Sequence, residues 1–261
     1  VTAVLVGASV LTGCGSKAVD VHESPSAGGS RSASALPPGQ GGDRLVLRWR
    51  MSGGMGGVGG PWNVPDFSLY ADGTAITAGA PGKGSQLKRY HLKQAVFQQL
   101  VADAKKAGLQ RSQRIKVSGR IADAMVLTIW MGSARTDIEM PEQHHVPATA
   151  LWKRLQPEQW PTDDQHSPPD IYHPVRLAVG ALDTGEQSAP PDAVAWPLSP
   201  LGKGRQVRGR LCTVYSGADA TRLRDLASKT VLGARFTSGG RLYTMQIRPL
   251  LPDETSCDAL A

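Results

Sequence analysis

Arg44, Arg48 and Arg50 share the run Arg44–Met51 with Leu45, Leu47, Trp49 and Met51. A period of two turns the arginines to one strand face and the apolar residues to the other. Three guanidinium groups side by side could clamp phosphate or carboxylate groups, so the stripe is a candidate anion-binding face. The plainer alternatives are a solvated face or ion pairs with nearby acids. The only thiols are Cys14, Cys212 and Cys257. No CxxC pattern or nearby Cys/His cluster accompanies the last two, which argues against a metal site there.

The remaining candidate chemistries are thinner. Gly54-x-Gly56-x-x-Gly59 fits the dinucleotide fingerprint in letters. That site needs its last glycine to open a helix, however, and here Pro61 and Trp62 follow without a helical pattern. His144, His145, His166 and His173, with Asp163 and Asp164, match no metal-ligand spacing. Ser216 lacks the flanking glycines of a nucleophile elbow and reads better as a helix N-cap. Asp253 and Glu254 are adjacent acids, best read as part of a structural turn before Cys257. No catalytic residue, metal site or cofactor is assigned.

Residues 1–13 form an apolar run of signal-peptide length. A membrane-spanning helix would need about 20 such residues. The run ends in Leu11-Thr12-Gly13-Cys14, which resembles the lipobox of bacterial lipoproteins. In that family the cysteine sulfur takes a diacylglyceryl group, and cleavage makes this cysteine the mature N-terminus. The run holds no Lys or Arg, so a basic n-region is expected upstream of Val1. Residues 14–43 follow as a Gly/Ser/Ala/Pro tether with too little apolar surface to fold. As a coil, that length reaches roughly 30 Å.

Three cysteines in an exported chain leave one to be explained. Lipidation of Cys14 explains it and leaves Cys212 and Cys257 to form a disulfide in an oxidising compartment. Two free thiols in a reducing one are the alternative. The bridge would close a loop of about 45 residues, contributing roughly 4 kcal/mol on the chain-entropy model. Charge points outward as well. Taking Lys17 and Arg31, and Asp20, Glu23 and Asp43, from 29 basic and 22 acidic residues leaves 27 against 19, or +8 on residues 44–261. Outside a membrane, that excess favours anionic lipid or an anionic wall polymer over nucleic acid.

The elements that position these groups read as α+β. Phe67–Ala71 and Thr74–Thr77 flank Asp72-Gly73 as a hairpin. Residues 92, 96, 97, 100, 101 and 104 form one helix face ending at Gly108. Met125–Met131 and Thr136–Met140 make a second hairpin around Gly132-Ser133, and Pro147 opens a short helix carrying Leu151, Trp152 and Leu155. Residues 157–170, rich in proline and acid, read as a linker or long loop. Beyond it come strands over 175–179 and 210–215, a helix capped by Ser216, and a hairpin turning at Gly239-Gly240. The expected architecture is antiparallel sheet with helices packed on one face. It divides into a half over 44–156 and a second half over 171–261, with the disulfide, whose order of strand, helix and hairpin echoes the first. Trp49 and Trp152 fall on apolar faces, whereas Trp62, Trp160 and Trp196 adjoin prolines in loops and are the candidates for an exposed aromatic platform.

The ending Arg248-Pro-Leu-Leu-Pro-Asp-Glu254-Thr-Ser-Cys257 resembles that of a group of actinobacterial lipoproteins. The lipobox, the tether, Phe67–Gly73, Trp196-Pro-Leu198 and a cysteine-bearing strand leading into a helix carry the same likeness. The resemblance implies location and the disulfide, and it transfers no catalytic residue. The expected protein is therefore a lipid-anchored envelope component whose body binds or supports without catalysis. A wall-directed hydrolase would require Asp163, Asp164 and His166 to converge in a pocket. An interaction partner or inhibitor would expose an apolar patch near Gly53–Pro65.

Overall fold

Alternation over residues 44–51 becomes β1 (Leu45–Ser52), in which Leu47 and Trp49 are buried. The computed structural model describes residues 42–55, 59–78, 86–119, 121–186, 188–229 and 234–261. Cys14, the apolar run and nearly all of the tether lie outside the described residues. Asp72-Gly73 folds β2 (Phe67–Tyr70) onto β3 (Thr74–Thr77), with the Asp72 carboxylate accepting the Thr74 amide at 2.8 Å. β4 (Lys88–Leu92) then leads into α1 (Gln94–Lys106). Leu92, expected to open the helix face, instead ends the strand, its amide donating to the Gly73 carbonyl. After α1 come β5 (Gln113–Ile115), the hairpin of β6 (Val126–Met131) and β7 (Ala134–Glu139), and α2 (Pro147–Arg154).

The segment expected to be a linker or loop, 157–170, instead holds two short 3-10 turns and most of β8 (Gln165–Ile171). β8 pairs antiparallel with β4 and closes an eight-stranded sheet ordered β5-β7-β6-β1-β2-β3-β4-β8. Pro168 and Pro169 suggested a loop. What they lack is only amide donors, which an edge strand tolerates, and which blunt that edge against pairing with another chain.

A second sheet of six strands begins at β9 (Arg176–Asp183) and adds β10 (Val194–Ala195), β11 (Arg205–Val207) and β12 (Arg210–Ser216). α3 (Gly217–Lys229) follows, then β13 (Arg235–Ser238) and β14 (Arg241–Pro249). The order is β10-β13-β14-β9-β12-β11. Gly239 and Gly240, at φ +59° and +73°, join β13 to β14. Two consecutive positive φ angles are what a two-residue hairpin demands and what most other residues resist. Both sheets are mixed rather than purely antiparallel, because β5 pairs parallel with β7 and β10 pairs parallel with β13 at the edges.

The hairpins enter the two sheets in opposite order. β6, the first strand of its hairpin, pairs with β1, whereas β14, the second of its own, pairs with β9. The echo of strand, helix and hairpin in the sequence is therefore not a strand-for-strand repeat. Leu100 and Ala104 of α1 and Leu151 and Trp152 of α2 share one buried cluster with Leu47, Trp49, Phe67 and Leu127. Ala220 and Leu223 of α3 share another with Leu177, Val179, Phe236 and Tyr243. No helix among the described residues is long and apolar enough to cross a membrane.

Candidate functional site

The arginine stripe splits. Arg44 stays exposed at the head of β1, while Arg48 and Arg50 reach the chain's own C-terminal segment and the loop before β2. Arg48 donates through Nε to Ser68 Oγ at 2.9 Å and through Nη2 to Asp253 Oδ1 at 2.8 Å. The same Asp253 oxygen accepts the Tyr70 hydroxyl at 2.8 Å. Glu254, next in sequence, turns the other way. Its Oε1 accepts Arg248 Nη2 at 2.7 Å, and its Oε2 accepts the Leu251 amide at 2.9 Å. Arg248 and Glu254 are each only 1% exposed.

Two adjacent carboxylates thus join β1 of the first sheet to β14 of the second. Arg176 of β9 adds donations to the Pro252 and Glu254 carbonyls, and Tyr172 Oη donates to the Leu250 carbonyl. The Asn63 carbonyl accepts from both Arg50 Nη2, at 2.9 Å, and Arg248 Nε, at 3.1 Å. The stripe therefore clamps the protein's own groups: Arg48 holds Asp253 and lies 3.6 Å from Glu254, and Arg50 holds the Asn63 carbonyl.

The electrostatics follow from this crowding. Burial, and then the neighbouring Arg248, lower the Arg50 guanidinium to about 10, well above neutral pH. For Arg48 burial acts downward, but Asp253 and Glu254 outweigh it and hold the group above its ordinary value. Burial and then Asp253 push the Tyr70 hydroxyl far up, so Tyr70 serves Asp253 as a neutral donor. Arg50 Nε and Arg248 Nη1 are buried without a partner, the residual cost of gathering cations here. Each of the two carboxylates in this cluster is bonded to an arginine. It is a clasp.

Cys212 and Cys257 form the disulfide, with S–S 2.06 Å and Cα–Cα 6.0 Å, tying β12 to the C-terminal turn just beyond the clasp. The tryptophans expected in loops are drawn inward. Trp62 and Trp196 are buried, and Trp160 packs edge-on against Phe67 and Tyr90. Trp62 lies against Gly180 of β9, where a Cβ would come within 2.7 Å of its ring. In the Gly53–Pro65 loop, Met55 is 94% exposed but Trp62 and Pro65 are buried. Gly56 to Val58 lie outside the described residues. No helix follows Gly59, as a dinucleotide site would require.

Asp163 and His166 are exposed, and of the three residues Asp164 alone lines the cavity beside α1. Among the described residues, no three His, Cys, Asp or Glu side chains are gathered to hold a metal. Ser216 ends β12 exposed, and Gly217, at φ +56°, makes the turn into α3.

Open space lies elsewhere, on either side of α2. A cavity of about 530 Å³ runs between α1 and α2, with Val96, Leu100, Trp160 and Pro161 among its walls. A second, of about 480 Å³, lies over Trp49, Met51 and Trp152, with Asp66 and Glu142 at its side. Lys153 and Gln159 line both, so the two cavities adjoin as neighbouring parts of the surface groove flanking α2. Both volumes fall within the small-ligand range of about 300–1,000 Å³. Trp49 and Trp152 stack edge-to-face at 6.0 Å, and Trp49 Nε1 donates to the Leu155 carbonyl. Asp66 Oδ2 accepts the Met51 amide at 2.7 Å, and burial pushes the Asp66 carboxyl above the usual range.

Neither the role of Arg248 nor the groove is legible in the sequence. Arg248 lies on a strand that otherwise reads as an ordinary hairpin arm. The groove draws on β1, the loop before β2, α1, a 3-10 turn, α2 and the 157–164 segment, which share no local pattern. The one available signal was the density of glutamine, tryptophan and acid over 142–164. No family model, no curated protein and no solved structure matches this chain.

Proposed function

We propose that this chain is an exported, lipid-anchored protein of the cell envelope whose folded body is a non-catalytic binding or structural module. Cys14 carries the diacylglyceryl anchor, residues 15–43 form the tether, and the body stands at the outer surface of the membrane. In the fold that goes with this reading, each sheet carries its helices on one face, and the clasp joins the opposite faces.

The observation that carries the reading is the Cys212–Cys257 bond. Disulfides persist in oxidising compartments, and this one uses two of three cysteines, leaving Cys14 as the odd thiol that an anchor explains. The non-catalytic part rests on the clasp, where both Asp253 and Glu254 are already bonded to an arginine. With Arg48 and Arg50 engaged inside, contact with anionic lipid or wall polymer falls to other basic residues of the +8 body. Fractionation tests the anchor. Cys14→Ser should move the protein from the membrane pellet to the soluble fraction, and a variant still held as firmly as the parent would overturn the reading.

A further inference from the structure

We propose that the groove flanking α2 binds an uncharged oligosaccharide, seating two consecutive sugar rings. The inference rests on the reading of the body as an envelope binding module and names its ligand.

Three features of the groove carry it. The first is its division into two cavities of similar size, about 530 and 480 Å³, that share Lys153 and Gln159. A chain of linked rings fills such a space, with the linkage passing the shared residues. The second is that each cavity has its own apolar wall beside polar groups. Trp160 and Val96 line one, and Trp152 and Met51 line the other. A sugar ring presents the same mixture, with C–H faces for aromatic and aliphatic walls and hydroxyls at its rim.

The third feature is the polar equipment. Glu142, Lys153 and Gln159 are exposed, and their side chains have no hydrogen-bond or ion-pair partner among the described residues. A carboxylate only accepts, an ammonium only donates, and a carboxamide does both. A sugar's hydroxyls, which do both as well, can use all three at once. The Trp152 indole N–H is a further buried donor without a partner beside this space.

Charge selects against an anionic ligand. Asp66, Glu142 and Asp164 line the groove against Lys153 and Arg154, and Arg154 is already paired with Asp103 at 2.7 Å. A polyanion would meet more carboxylates than free cations. A long apolar ligand would leave the unpaired polar groups desolvated without compensation.

The test uses the full chain and two defined probes, tetra-N-acetylchitotetraose and cellotetraose, with inorganic polyphosphate as the anionic comparison. Saturable change in tryptophan fluorescence with at least one tetrasaccharide, and none with polyphosphate, is the expected result. Gln159→Ala and Glu142→Ala should each weaken that binding about fivefold to tenfold. Both positions are exposed, so the fold survives, and Arg224→Ala on α3 should bind as the parent does.

Failure of both tetrasaccharides to saturate would overturn the proposal. So would unchanged binding by both groove variants, or tighter binding of polyphosphate. Mass analysis of the recovered sugar separates this inference from the functional reading. Intact sugar supports both, whereas shortened products would sustain the sugar site and overturn the non-catalytic reading. Membrane retention of Cys14→Ser would refute the anchor and leave the titration untouched.

Discussion

Removing Glu254 should cost this protein more than any other single truncation in the clasp. Arg248 and Glu254 meet at 2.7 Å with side-chain exposures of 1% and 2%, so solvent barely screens the pair. Glu254→Ala leaves the Arg248 guanidinium buried beside Arg50, with the Asn63 carbonyl as its remaining acceptor. It also strips the Leu251 amide of its acceptor. Breaking one side of a buried pair costs about 3–5 kcal/mol, against total stabilities of about 5–15 kcal/mol. For a body of this size, that loss lowers Tm by roughly 6–20 °C.

Urea denaturation at pH 7, with the disulfide intact, measures the loss directly. The double variant Arg248→Met/Glu254→Leu tests the cause. If the cost is an uncompensated charge, replacing both partners with apolar side chains should restore much of what the single variant loses. A loss below about 1 kcal/mol for Glu254→Ala would refute the reasoning. A double variant no more stable than the single one would also refute it, because the penalty would then lie in packing or backbone.

Gly180→Ala should destabilise by about 1–3 kcal/mol, since the new methyl would sit 2.7 Å from the Trp62 ring. Adding Trp62→Leu should relieve part of that cost, and thermal melts of the two variants check it. Cys212→Ser/Cys257→Ser should lower stability by roughly 4 kcal/mol through the freed 45-residue loop, and an unchanged urea midpoint would count against that. Asp66 concerns pH. Its folded pKa is raised, so its stabilising contribution is fully present below the unfolded value and is lost as pH rises through the folded one. At pH 7 the ionised carboxylate is therefore a liability. Asp66→Asn, which keeps an acceptor for the Met51 amide, should be at least as stable as the parent at pH 7 and lose any advantage towards pH 3. Melting curves that favour the parent at pH 7 and converge at pH 3 would contradict this sign.

Much of the local structure was legible because it depends on near neighbours. The alternation in β1, the Asp72-Gly73 and Gly239-Gly240 turns, and the spacing of Val96, Leu100 and Ala104 each encode an element within a few residues. Short edge strands were not legible. β5, β10 and β11 have two or three residues each, too few for a period to show. β8 was hidden by Pro168-Pro169, whose missing amides matter only if a strand must pair on both sides. The candidate site was least legible of all. Asp66 lies 76 residues before Glu142, and both line one cavity with Gln159 only because β1 and α2 are brought together.

The sequence by itself determined the longer strands and helices, the α+β class and the pairing of Cys212 with Cys257. It also determined that Arg48 and Arg50 share a strand face, because β1 can place alternate residues in no other way. Tertiary structure alone decided what that face meets. Asp253 lies 205 residues from Arg48, and no local pattern measures such a distance. Once the C-terminal segment crosses from β14 to β1, Asp253 takes up Arg48 and Glu254 takes up Arg248, and a face that read as open to outside anions becomes the joint between two sheets. Burial drives the choice: cations removed from water need their counter-charges beside them, and this chain supplies its own.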